Sequence, residues 1–179
     1  MAHEPPGTSN GDKMLGHLLR RAREPFASLV EVAGFASAIS TTVRSARRII
    51  ENSPEVVGPV AVRGVREEGT LWFVGQAAEE TRARLGVDAR RPSGDARAFI
   101  AARVFEVVAY HHPYFDGNKR TAFLASTLVG YYLGLAAKAV SYEVIEDAVR
   151  DLTAREATHE EVAAWFLSNL FISRDPEEA

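Results

Sequence analysis

Residues 112–135 read HPYFDGNKRTAFLASTLVGYYLGL, a polar loop of nine residues running straight into an apolar stretch. The part from Thr121 to Leu135 has the length and apolar density of a buried helix. It predicts a mainly α fold, a compact bundle around that central helix. A helix beginning near Asn118 would turn its first N–H groups and the positive end of its dipole back toward the loop, which makes an anion site. Gly117 lets the backbone approach an anion without a Cβ in the way. Asn118 belongs to the same cradle; Lys119 adds a flexible point charge and Arg120 a planar fork. Asp116 repels phosphate on its own, so beside two cations it predicts a hard divalent ion, Mg²⁺, shared between carboxylate and phosphates. His112 stands just ahead, and an imidazole, which titrates near neutral pH, suits a general base.

The bulk properties narrow the field around this loop. With 179 residues the chain is long enough for one domain with a real core, here with a helical extension. A hydrophobic content of 46% and a formal charge of −3 describe an ordinary globular protein with no global basicity for nucleic acid. The absence of Cys excludes a disulfide framework, thiolate catalysis and Cys-ligated zinc, and accords with a reducing cytoplasm. The longest nearly apolar run, Phe123 to Ala137, contains Ser126 and Thr127 and falls short of the ~20 residues of a membrane span. No partner membrane is expected, and the first residues lack the order of a signal peptide.

Taken in order, residues 1–12 (MAHEPPGTSNGD) read as a disordered lead-in. Residues 13–59 read as a helical extension: a short basic helix from Lys13 to Arg23, then a helix from Pro25 to about Glu51 that Gly34 either tightens against a neighbour or breaks. SPEVVGP, from Ser53 to Pro59, is a turn or linker. Beyond it, residues 60–70 predict either a short strand, from the loose alternation of Val60, Val62 and Val65, or a loop leading into a helix; the pattern leaves both open. Trp72 and Phe73 are expected as core or packing residues rather than base-stacking ones, and Glu79 to Arg91 as an exposed helix and loop. Asp95 opens a helix that Pro113 stops, which grips the 112–120 loop from both ends. Gly134 ends the central helix, Ser141 caps the next, and Thr158 with Glu161 forms a capping-box pattern for a last helix from Glu160 to Leu170. Residues 173–179 read as an acidic tail.

The loop resembles the core motif of the Fic/Doc (Fido) family, HxFx(D/E)(G/A)N(G/K)R. His112, Asp116, Gly117, Asn118 and Arg120 fall on its positions, with Tyr114 in place of Phe. The string NKRTA resembles the Doc (death-on-curing) branch, whereas the adenylylating branch reads GNGRxxR and carries a second Arg where Phe123 stands. The resemblance spans roughly Val60 to Leu170 and implies a Fic/Doc-like helical domain over residues 60–172, with a short flap or hairpin over the site near residues 60–70. It implies ATP-dependent transfer of a phosphate-containing group to a Ser, Thr or Tyr hydroxyl of a target protein. The Doc-like pattern implies phosphorylation, with adenylylation as the alternative and a catalytically silent nucleotide-binding or regulatory module as a third reading. Mg²⁺, ATP as donor, a translation factor as target and an antitoxin as partner are implied in the same way. Some family members carry an inhibitory helix with the pattern (S/T)xxxE(G/N). Glu51-Asn52 supplies its last pair, which makes Glu51 a candidate inhibitory residue, but Arg47 occupies the Ser/Thr place, and an ordinary helix C-terminus is the plainer reading.

Overall fold

The computed structural model describes residues 30–31, 33–54, 58–86, 94–138 and 140–173. The expected lead-in, the basic helix from Lys13 to Arg23 and the acidic tail lie outside the described residues. What is described is mainly α, as the periodicity predicts.

Gly34, at φ 80°, divides the second expected helix, and α1 (Phe35–Glu51) begins directly after it. Ala38, Ile39, Val43, Ala46 and Ile50 recur at three- and four-residue intervals and give α1 one buried face. The chain then reaches α2 (Glu68–Arg84) through residues 58–67. Of the two readings of this segment, the loop holds; Val65 makes a single bridge to Tyr114 and no strand extends from it. The helix expected over 79–91 is in fact the end of α2, which starts eleven positions earlier, and residues 87–93 are outside the described set. Of the expected core or packing roles, neither Trp72 nor Phe73 takes the core one, being 66% and 37% exposed, while Phe73 packs edge-on against the His111 ring at 5.6 Å between centroids. Register decides this, because α2 turns Leu71, Val74, Ala77 and Ala78 inward, and positions 72 and 73 then fall outside that stripe whatever their own hydrophobicity.

The two helices that flank the loop are α3 (Gly94–His111) and α4 (Asn118–Tyr132). α3 is buried on nearly every side, since α2, α4 and α6 (His159–Trp165) pack around it. α4 is the central helix: every residue from Thr121 to Gly130 is buried. Of its buried hydroxyls, those of Ser126 and Thr127 both donate to the carbonyl of Phe123 at 2.8 Å, whereas that of Thr121 has no hydrogen-bond partner among the described residues.

α4 stops three residues short of the expected Leu135, and Gly134 (φ 93°) turns the chain into β1 (Leu135–Ala137). β1 pairs antiparallel with β2 (Phe171–Ser173), Leu135 opposite Ser173. A Cβ on Gly130 would lie 2.4 Å from the Phe171 ring, so only glycine lets β2 seat its aromatic on the central helix. Between the strands, α5 (Tyr142–Ala154) starts at the Ser141 cap, and α6 starts at the complete Thr158–Glu161 capping box. The last expected helix does not run unbroken to Leu170; its final turn, Phe166–Leu170, widens to a π-helix before β2.

Candidate active site

The loop between α3 and α4 is held by interactions from four directions. The Asn118 side chain brackets the main chain of Tyr114, accepting from its N–H at 2.9 Å and donating to its carbonyl at 2.8 Å. The Pro113 carbonyl accepts from the amides of Arg66 and Glu67, at 2.7 and 3.2 Å. The Tyr114 ring is buried and lies 4.7 Å from the Arg47 guanidinium. Arg47, only 3% exposed, rises from α1 beneath the loop, donating to the Asp116 carbonyl, to Glu51 Oε1 at 2.8 Å and to the Val62 carbonyl at 3.3 Å.

On this base the functional groups face outward. His112 is exposed and has φ 47°, a left-handed conformation that costs a non-glycine residue about 1 kcal/mol and that clusters at functional sites. Gly117 is the N-cap of α4 at φ 73°, and the first-turn amides of α4, which no helical carbonyl can satisfy, open toward the loop. The positive φ favours glycine at 117, and a Cβ there would stand 2.8 Å from Arg47 Nη1, so the guanidinium would have to shift. Lys119 is exposed on the first turn. Arg120 donates to the carbonyls of Gly58 at 2.8 Å and Pro59 at 3.2 Å, and its Nη2 is 3.9 Å from Asp116 Oδ2.

Asp116 accepts from the amide of Ala61 at 2.9 Å and from that of Gly117 at 2.6 Å. The Ala61 N–H foremost, then that of Gly117 and the charges of Arg120 and Arg47, hold its carboxyl below the usual carboxylate range. It is therefore an anion at neutral pH. A single exposed carboxylate beside a phosphate cradle fits Mg²⁺, which keeps several waters and takes one or two carboxylates together with phosphate oxygens. Among the described residues no group of three or more acidic or histidine side chains forms an all-protein metal cage.

This arrangement accounts for a match to the family model described as Fic/DOC family over residues 41–129. The chain belongs to the Fic/DOC family. The matched span covers most of α1, all of α2 and α3, the loop and most of α4, the elements that position the site. No match to the chain was found among curated proteins or among solved structures. The family comprises transferases acting on proteins, generally by nucleotide or related transfer, and generally uses ATP with a divalent metal. No helix among the described residues is long and apolar enough to cross a membrane.

The structure thus brings together His112, Asp116, Gly117, Asn118, Lys119 and Arg120 on one loop and helix start. It places Glu51 differently from the inhibitory pattern: its carboxylate pairs with Arg47, whereas Arg120 holds main-chain carbonyls. Asn118 spends its side chain on the Tyr114 backbone, so toward an anion it offers its main-chain amide. Two participants escaped the sequence reading. In the sequence Arg47 is marked only by its place in the Ser/Thr position of the inhibitory pattern, which gives no sign of its burial under the loop. Phe115, between two motif residues, is 59% exposed beside the loop.

Proposed function

We propose that this protein transfers a phosphate-containing group from ATP to a Ser, Thr or Tyr hydroxyl of a target protein, phosphorylation being the leading reaction. The observation that supports it most is the pairing of an exposed imidazole on a rigidly held loop with an anion cradle at the start of a buried helix, a few residues on. In this reading His112 takes the proton of the acceptor hydroxyl as its oxygen attacks phosphorus; the new P–O bond forms as the bond to the bridging oxygen breaks. The amides at the start of α4 and the charges of Lys119 and Arg120 bind the phosphates and offset the charge that builds on them. Asp116 would hold Mg²⁺, which supplies charge neutralisation to the phosphates when bound. Phe115 and Val62, both exposed beside the loop, offer an apolar edge for the target.

Lys119 and Phe123 favour attack on the γ phosphorus. Lys119 adds a cation and bulk where glycine would leave an open hollow. Phe123 is buried in the core, where the adenylylating branch carries a second phosphate-binding Arg. The second reading, adenylylation, has the general activity of the family on its side. A translation factor as target, an antitoxin as regulatory partner and a cytoplasmic location complete the Doc-like proposal.

Incubation with lysate and ATP labelled at the γ or the α phosphate separates the readings. Label from the γ position on protein, lost in His112→Ala, is the expected result. Label from the α position replaces phosphorylation by adenylylation, and label from neither means a silent nucleotide-binding module or a repressed enzyme.

A further inference from the structure

Residues 58–62 cross directly over the anion cradle. The carbonyls of Gly58 and Pro59 accept from the Arg120 guanidinium, at 2.8 and 3.2 Å. Two residues on, the Ala61 N–H donates to Asp116 Oδ2 at 2.9 Å. Val60, between these contacts, sits over Gly117, its Cγ2 only 3.7 Å from where a Cβ would stand. The far end is tied to the base of the site, because the Val62 carbonyl accepts from Arg47 and the Arg63 side chain donates to the Glu51 carbonyl, each at 3.3 Å.

The polarity of these contacts is informative. A carbonyl oxygen presents partial negative charge to the Arg120 fork, as a phosphate oxygen does. An N–H presents partial positive charge to the Asp116 carboxylate, as a metal ion does. The segment therefore offers to each group the sign of charge that a magnesium nucleotide offers, with Val60 covering the glycine a phosphate would approach. These five residues and a bound nucleotide compete for the same donors and acceptor.

We infer that residues 58–62 form an autoinhibitory strap, an intramolecular stand-in for the metal–phosphate unit, which the donor nucleotide must displace to bind. This rests on the phosphate-site reading above. Since only the form with the strap lifted can bind, the apparent affinity is the intrinsic affinity multiplied by the open fraction. Regulation then needs no change at His112: anything that draws the exposed Ala61–Gly64 stretch away from the loop raises nucleotide affinity.

The test uses the full chain with MgATP as the probe. Amide hydrogen exchange at residues 60–63 is followed with and without MgATP, and binding is measured by calorimetry for the wild type and for Ala61→Pro, which deletes the N–H that Asp116 accepts. The expected results are faster exchange at 60–63 on MgATP addition, while α4 is unchanged or protected, and a dissociation constant roughly tenfold lower for Ala61→Pro, the worth of one hydrogen bond to a charged acceptor. MgATP binding with slower or unchanged exchange at 60–63 overturns the strap and leaves the phosphate site standing. Absence of binding in both proteins overturns the phosphate site and the strap with it. The exchange measurement needs only the wild type, so a poorly folded variant does not blunt the test.

Discussion

Arg47 and Asp116 lie 69 positions apart in the chain, and a hydrogen bond joins the guanidinium of the first to the main-chain carbonyl of the second. The same guanidinium holds Glu51 and faces the Tyr114 ring, so one buried cation ties α1 to both halves of the loop. Replacing it by Met would strand the Glu51 carboxylate and the Asp116 carbonyl while keeping most of the volume. Arg47→Met is expected to lower stability by about 2–4 kcal/mol, read from the urea midpoint at constant m-value. Glu51→Gln, which keeps a hydrogen-bond acceptor for Arg47, is expected to cost about 1 kcal/mol. It should not raise transfer, because Glu51 does not touch Arg120; a rise in turnover would restore Glu51 as an inhibitor.

Much of this was readable in the chain and some was not, for definite reasons. Asn118–Tyr132 is legible because ten successive buried positions leave a nearly apolar record broken only by small hydroxyl residues, and the Thr158–Glu161 box is legible because capping is local in sequence. β1 and β2 are three residues each and show no alternation, and the seating of the Phe171 ring against Gly130 joins positions far apart in the chain. Trp72 and Phe73 mislead because composition carries no phase: their exposure follows from where Leu71 and Val74 point. Arg47 is hidden for a similar reason, since a buried charge and a solvated one have the same letter.

Tyr114 stands where the motif has Phe, and its hydroxyl is buried without a hydrogen-bond partner among the described residues. Burial pushes its pKa up to about 12. Tyr114→Phe removes an unpartnered polar group and keeps the ring under Arg47, so it is expected to raise stability by about 1 kcal/mol. The sign of the pH effect follows from the raised value: the unfolded chain ionises first, near pH 10, so the contribution is fully present below that and is lost as pH rises toward 12. Urea midpoints from pH 8 to 11 should fall less steeply in the Phe variant than in the wild type; identical slopes would contradict the buried phenol.

His112 combines exposure with a left-handed backbone, so its side chain does little for the fold. Asn tolerates that backbone conformation and cannot act as a base at neutral pH. His112→Asn is expected to keep stability within about 0.5 kcal/mol. Transfer should drop by ~10²–10⁴, measured with labelled ATP. Retained transfer would move the base elsewhere.

Asp116 titrates below an ordinary aspartate chiefly because Ala61 donates to it. A depressed folded value means that its contribution to stability is present above the unfolded value, about 3.9, and is lost as pH falls through the folded one. Carboxyl ¹³C titration should place the Asp116 midpoint below 3.9, a reference value for the unfolded chain at about that figure. Ala61→Pro should move the midpoint upward, whereas an unshifted midpoint would show that the Gly117 amide and the arginines suffice without the strap.

Lys119 and Phe123 distinguish the two transfer chemistries, but only one can be exchanged without harm. Phe123 is buried against the core, and an Arg there would leave an unpaired charge inside, so loss of activity in Phe123→Arg would report unfolding. Lys119 is exposed on the first turn of α4, where glycine costs the helix at most about 1 kcal/mol. Lys119→Gly opens the hollow beside the α4 amides and removes a cation from the phosphates. The ratio of α to γ label transferred to protein is expected to rise about tenfold if Lys119 excludes the adenylylating arrangement, and a constant ratio would shift that selectivity to Phe123 and the core behind it.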